Sequence, residues 1–174
     1  VFDYLRKSPL VEDVVISGGD SFMLTAAQLK YIGESLLKIP HIRRIRYATK
    51  GIAIFPMKIT SDNAWFEALK DVHKYGLSLG KQVVVHTHFS CPKEITHWSQ
   101  LAMEKLFRAG IIVRNQAVLQ HGVNNDVSDM VLLTRQVGYL NIQPYYVYMH
   151  DMVPGCEHFR TTLREGIELE KAIR

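Results

Sequence analysis

The chain has 174 residues, 47% hydrophobic and 22% charged, with a formal net charge of +4. That is an ordinary globular composition for one domain, which buries about 70% of its unfolded surface. Its 21 basic residues are scattered rather than gathered on an aromatic-interleaved face, which argues against nucleic-acid binding, and no apolar run approaches the ~20 residues of a membrane span.

Val11 to Ser17 is an apolar run of strand length that stops on Gly18, Gly19 and Asp20. Thr25 and Gln28 have the spacing of a capping box, and Leu29, Ile32 and Leu36 follow at helical spacing. Ile42 to Thr49 alternates like a strand and contains the densest basic run, Arg43, Arg44 and Arg46. Thr60 or Ser61 is placed to cap the next helix, whose apolar stripe is Trp65, Leu69 and Val72. Gln82 to Phe89 is β-branched and reads as the third strand. A helix from Thr96 to Ala109 should end on Gly110 at the C′ position. Ile111 to Leu119 is the fourth strand, and Asp126 opens a helix carrying Met130, Leu133 and Val137, closed by Gly138. Asn141 to Asp151 is the fifth strand, and a helical pattern from Thr161 runs to the end without a glycine or asparagine cap.

Strands thus begin near positions 11, 42, 82, 111 and 141, a spacing of ~30 residues that matches a βα unit. The expected fold class is α/β, a parallel sheet covered by helices. Five units could form an open doubly wound sheet or an arc of a barrel. No linker or low-complexity stretch divides positions 1–174, so one domain is expected.

In both architectures ligands bind where the strands end. Gly18 and Gly19 leave the backbone bare for a ligand, or make a plain tight turn. Asp20 could pair with an ammonium group or serve a helix start. Thr49 and Lys50 close the second strand. His86 and His88 close the third and are expected on opposite faces of the sheet, as metal ligands of a barrel-type hydrolase or as packed core histidines. Arg114, Asn115 and Gln116 interrupt an apolar strand, with Asn115 facing away from the other two. Without a bulge, Tyr146, Tyr148 and His150 share one face of the fifth strand, and Tyr145, Val147, Met149 and Asp151 the other. Cys91 and Cys156 form no CxxC pair, so neither a zinc knuckle nor a disulfide framework is expected. Reduced thiols are the default, and with them a cytoplasmic setting.

The stretches DVVISGGD, KIPHIRRIRYATKG, HTHFSCPKEIT, GIIVRNQAVLQHGVNND and QPYYVYMHDMVPGCEHFRT, in this order, resemble the lysine 2,3-aminomutase family of radical SAM enzymes. The resemblance implies a partial (β/α)6 TIM-like barrel, of which this chain holds about five units, strands two to six. It implies that Ser17, Gly18, Gly19 and Asp20 hold the amino group of S-adenosylmethionine, with Thr49, Lys50, His88 and Gln116 lining the cofactor side of the barrel. It implies that Asp151, with Tyr148, receives the side-chain ammonium of lysine or a lysine-like amino acid.

The implied enzyme is an isomerase that moves an α-amino group to the β carbon. It uses S-adenosylmethionine, a 4Fe-4S cluster and pyridoxal 5'-phosphate. Its partner is a small amino acid, and family members often form homo-oligomers. The family's CxxxCxxC loop and Schiff-base lysine have no counterpart here, so no metal ligand and no catalytic residue is expected within the segment. Lys50 stands where relatives often have arginine, Cys91 where histidine is common, and His150 where lysine enzymes often have cysteine. Two alternatives remain: a metal-dependent hydrolase using His86 and His88, and a non-catalytic fragment acting as a binding module.

Overall fold

The computed structural model describes residues 1–173. Five parallel strands form one sheet in chain order: β1 (Asp13–Ile16), β2 (Arg44–Ala48), β3 (Gln82–Thr87), β4 (Ile112–Leu119) and β5 (Ile142–Met149). Each neighbouring pair is parallel. Crossovers between parallel strands are right-handed. When every step moves one strand in the same direction, every connecting helix falls on the same face. This order has no reversal point and is therefore that of a barrel arc, not of a doubly wound sheet.

The helices are α1 (Phe2–Arg6), α2 (Ala26–Leu37), α3 (Gly51–Ile54), α4 (Met57–Ser61), α5 (Asn63–Ser78), α6 (His97–Arg108), α7 (Val127–Tyr139) and α8 (Leu163–Ile173). The α/β class, the five strands and the long helices agree with the sequence reading. Thr25 and Gln28 form the expected capping box of α2, and Thr96 caps α6. Gly110 takes the left-handed conformation at φ 75°.

Four details differ from the expectation. Asp62, not Thr60 or Ser61, caps α5 by accepting from Trp65 N, because those two residues are the last turn of α4. Helix α7 passes through Gly138, and the left-handed turn falls on Asn141 at φ 59°. Thr162 and Glu165 form a reciprocal cap at the start of α8. In β5, Pro144 pairs with Asn115 and Tyr146 with Gln116, so Tyr145 is the extra residue of a bulge. Its ring consequently packs edge-on against His86, 5.3 Å away, on the face that the helices leave open.

Alternation along β4 separates the two faces. Val113, Asn115, Ala117 and Leu119 are buried toward the helices, while Ile112, Arg114, Gln116 and Val118 are half-buried on the open face. Val84 and His86 of β3 are 0% and 4% exposed although they share that open face. The flanking strands therefore curl around them. On the helix side, Leu29, Leu36, Leu37, Ile45, Leu69, Val72 and Val83 form the core between α2, α5 and the sheet. Lys81 Nζ donates to Leu37 O at 2.7 Å and Ile39 O at 2.6 Å, satisfying carbonyls at the end of α2.

Close approach of α2 to β2 and α5 requires Gly33. Tyr47 donates its hydroxyl to Leu29 O at 2.8 Å. A Cβ on Gly33 would meet that hydroxyl and lie 2.6 Å from Val72 Cγ1. Gly33→Ala should therefore destabilise the domain by about 1–3 kcal/mol through overpacking, despite a helix-propensity gain of under ~1 kcal/mol. Urea unfolding followed by circular dichroism checks this; an unchanged or higher midpoint contradicts it.

Candidate functional site

The rim where the strands end is built from the turn after β1. Gly18 and Gly19 take φ values of +101° and +153°, which L side chains rarely adopt. A Cβ at either would meet nothing within 4 Å, so their main chain borders open space. Asp20 follows, and its carboxylate is heavily engaged. Oδ1 accepts from Phe22 N at 2.9 Å and from the Thr49 hydroxyl, and Oδ2 accepts from Lys50 N at 2.9 Å. Ser21 adds a bond from Oγ to Ala48 O at 2.7 Å. The glycine turn is thereby fixed to the end of β2.

Lys50 continues the seam from β2 to β3. Its ammonium donates to His88 O at 3.0 Å, Ser90 Oγ at 3.1 Å and Glu94 Oε1 at 3.0 Å. All three ammonium hydrogens have acceptors, so this side chain orders the loop after β3. Asn115 and Asn124 join β3 to β4. The amide of Asn115 accepts from Phe89 N at 2.7 Å and donates to Phe89 O at 3.2 Å. Asn124 donates to Ser90 O at 2.8 Å and Val118 O at 2.9 Å.

A cleft of about 200 Å³ opens within this seam. Six of the residues expected to hold a cofactor line it together: Gly19, Asp20, Thr49, Lys50, His88 and Gln116. Ser17, Gly18, Tyr148 and Asp151 are not in its lining. Ser17 and Gly18 are exposed beside it, and Tyr148 is 48% exposed. Asp151 is exposed after β5, and its carboxylate has no hydrogen bond or ion pair among the described residues. A larger cavity of about 650 Å³ lies on the helix side, between α7, α8 and the outer face of β4 and β5. Its walls include Leu119, Leu133, Val137, Leu163 and Ile167, and it lies away from the glycine turn.

His86 and His88 both line the cleft, which corrects the expectation that they face opposite ways. Residues two apart on a strand share a face, and it is Thr87 between them that turns toward the helices. His88 is hydrogen-bonded through Nε2 to Ser90 Oγ at 3.2 Å. Burial, aided by the Lys50 cation and opposed by Glu94, lowers its pKa. The buried Nε2 of His86 has no partner. Burial first, then the guanidinium groups of Arg46 and Arg114, push the His86 pKa down to about 4. At neutral pH this imidazole is uncharged.

The sequence reading missed Glu94, Ser90 and Asn124, which shape the rim without touching the glycine turn. A Lys50–Glu94 pair separated by 44 positions leaves no local pattern.

No family model matches the chain. Among curated proteins, it is 37% identical over 172 residues to the L-lysine 2,3-aminomutase of Clostridium subterminale, covering 99% of this chain and 39% of that protein. It is 35% identical over 172 residues to the glutamate 2,3-aminomutase of Clostridioides difficile, covering 99% and 38%. For the L-lysine 2,3-aminomutase of Bacillus subtilis the identity is 36% over 171 residues, covering 98% and 34%. Over its whole length, this chain is similar to a segment of the 2,3-aminomutases. It spans a little over a third of the length of these relatives. Among solved structures, methylornithine synthase aligns with 99% of this chain and 68% of its own at 12% identity and a TM-score of 0.47; this likeness carries no argument about function.

Two outcomes follow from the geometry. Asp20→Ala should lower stability by about 2–3 kcal/mol, because it removes hydrogen bonds to a charged acceptor and strands the Lys50 N–H. Faster amide exchange at Lys50 would accompany it, and unchanged exchange there would contradict the assigned role. Separately, an imidazole whose folded pKa lies below its unfolded value of about 6.5 favours the native state above that pH. Its contribution is lost as pH falls from about 6.5 towards 4, the folded value for His86. The urea midpoint should fall over that window, and His86→Gln should shrink the fall relative to wild type in titrations at pH 7, 5.5 and 4.

Proposed function

We propose that this chain is the central barrel arc of a radical SAM 2,3-aminomutase that acts on lysine or a lysine-like amino acid. The observation that carries the reading is that residues matching the family's glycine turn and inner wall converge on one cleft, in a chain similar to aminomutases from end to end. The same proposal includes a cytoplasmic setting and a small amino acid as partner. Among the described residues, no helix is long and apolar enough to cross a membrane.

The implied cofactors fit this chain unequally. The bare main chain at Gly18 and Gly19 borders open space and suits the methionyl end of S-adenosylmethionine. In this reading Asp20 holds the turn in place and contributes negative potential beside it, while His88 and Gln116 form the opposite wall. Reductive cleavage of bound S-adenosylmethionine supplies a carbon radical able to abstract hydrogen. A 4Fe-4S cluster does not fit these residues. The only cysteines, Cys91 and Cys156, are isolated, and among the described residues no group of three His, Cys, Asp or Glu could hold a metal. Pyridoxal phosphate likewise finds no free amine in the cleft, since Lys50 is committed to Glu94 and Ser90. Cluster ligands and an amine for pyridoxal phosphate would have to come from residues other than these. Asp151, exposed and unpaired, is suited to a substrate ammonium by charge. The hydrolase reading has no supporting observation, because among the described residues no third ligand joins His86 and His88.

Anaerobic reconstitution of the full-length protein with iron, sulfide, pyridoxal phosphate and S-adenosylmethionine tests the proposal. Lysine should yield β-lysine together with 5'-deoxyadenosine, detected by mass spectrometry. Asp151→Asn should raise KM for lysine at least about tenfold, the cost of one charged hydrogen bond, and leave S-adenosylmethionine binding unchanged. S-adenosylmethionine left intact by the reconstituted protein would overturn the reading.

A further inference from the structure

Three guanidinium groups stand on the open face of the sheet, Arg44, Arg46 and Arg114, against a single carboxylate, Asp13. Asp13 is already shared: it accepts from Arg46 Nε at 2.9 Å and Arg44 Nη1 at 3.3 Å. Arg44 is further held by Gln82 Oε1 at 2.6 Å. Arg114 has no carboxylate partner among the described residues. It is nevertheless oriented, by Gln143 Oε1 at 3.1 Å from its Nε and by the Tyr145 ring 5.1 Å from its guanidinium carbon. Placement of Tyr145 on this face is the work of the β5 bulge.

His86 lies beside Arg114 in register, one strand spacing away. It is 4% exposed, lines the cleft, and leaves Nε2 without a hydrogen bond. An unsatisfied buried polar atom costs free energy that a bound acceptor or donor recovers. Next to two cations, the group that recovers it best is an anion accepting hydrogen bonds from the imidazole N–H and from guanidinium together. A concave wall with surplus positive charge also concentrates anions.

We propose that Arg114 and His86 form an oxyanion subsite on the open face, which takes the carboxylate or phosphate group of a small ligand. Arg46 reinforces it at one remove, and Tyr145 positions the Arg114 guanidinium. This inference does not rest on the aminomutase reading, which concerns the glycine turn and Asp151, and either can fail without the other.

The test is a side-chain NMR titration of His86 in the full-length protein with sodium phosphate and, separately, sodium acetate, against sodium chloride at matched ionic strength. The groups that face His86 are Asp13 on β1, Arg44 and Arg46 on β2, Arg114 on β4 and Tyr145 on β5. An anion bound among them should shift the His86 signals saturably and raise its pKa toward the ordinary histidine range. Arg114→Gln should weaken the binding at least about tenfold, with Arg114→Lys retaining part of it. A response to phosphate alone assigns a phosphate ester, and a response to acetate alone assigns a carboxylate; either supports the subsite. If neither ion moves His86 more than chloride does, or if Arg114→Gln binds as wild type does, the subsite does not exist. Should the variants fail to fold, the wild-type titration alone decides, since it needs no substitution.

Discussion

One topological constraint governs this protein: five parallel strands laid side by side in chain order, each joined to the next by a crossover of the same hand. The helices have nowhere to go but one face. That face then carries the hydrophobic burial, from Leu29 and Leu37 to Leu106 and Val137. The opposite face is released from packing against helices and can carry arginine, histidine, glutamine and tyrosine. Strand direction adds the second consequence. All five strands end on the same rim, so short loops distant in sequence meet there.

Polar residues on that rim divide into those that build it and those left free. Asp20, Lys50, Asn115 and Asn124 spend their hydrogen-bonding capacity on neighbouring loops. Together they sew β1 to β2, β2 to β3 and β3 to β4. Interactions of this kind are strong because at least one partner is charged or buried, and each would be costly to leave unmade. Less committed are the main chain of Gly18 and Gly19, the Nε2 of His86, the Oγ1 of Thr87, the carboxylate of Asp151 and the guanidinium of Arg114, which has no carboxylate partner among the described residues. Ligand chemistry belongs with groups of this kind, which have interactions left to offer.

The β5 bulge links the fold to the site. One extra residue on an edge strand brings Tyr145 onto the open face, where its ring meets both His86 and Arg114. It lies against the ring of Tyr146, tilted by 44°, and the Tyr146 hydroxyl donates to Gln116 Oε1 at 3.2 Å. Tyrosines thereby form an aromatic edge to the sheet next to His86 and Gln116.

The alternation of strands and helices, the capping boxes at Thr25 and Thr96, and the apolar stripes of α2, α5 and α7 were legible in the sequence because they are local. Periodicity and capping act over three or four residues, and the chain carries them whatever its tertiary fold. The glycine turn and its lining residues were legible as a group through family resemblance and the rule that parallel strands end on one rim. Other features depended on register and distance. The bulge at Tyr145 follows from how β5 pairs with β4, and the Lys50–Glu94 bridge closes a loop of 44 positions. The caps at Asp62 and Asn141 depended on where α4 and α7 end. The unpaired Nε2 of His86 and the lack of a carboxylate beside Arg114 were decided last, by which neighbours the folded sheet places within reach. The order and spacing of apolar patterns determined that the chain would fold around a helix-covered parallel sheet; only the packed strands determined which of its polar groups are still available.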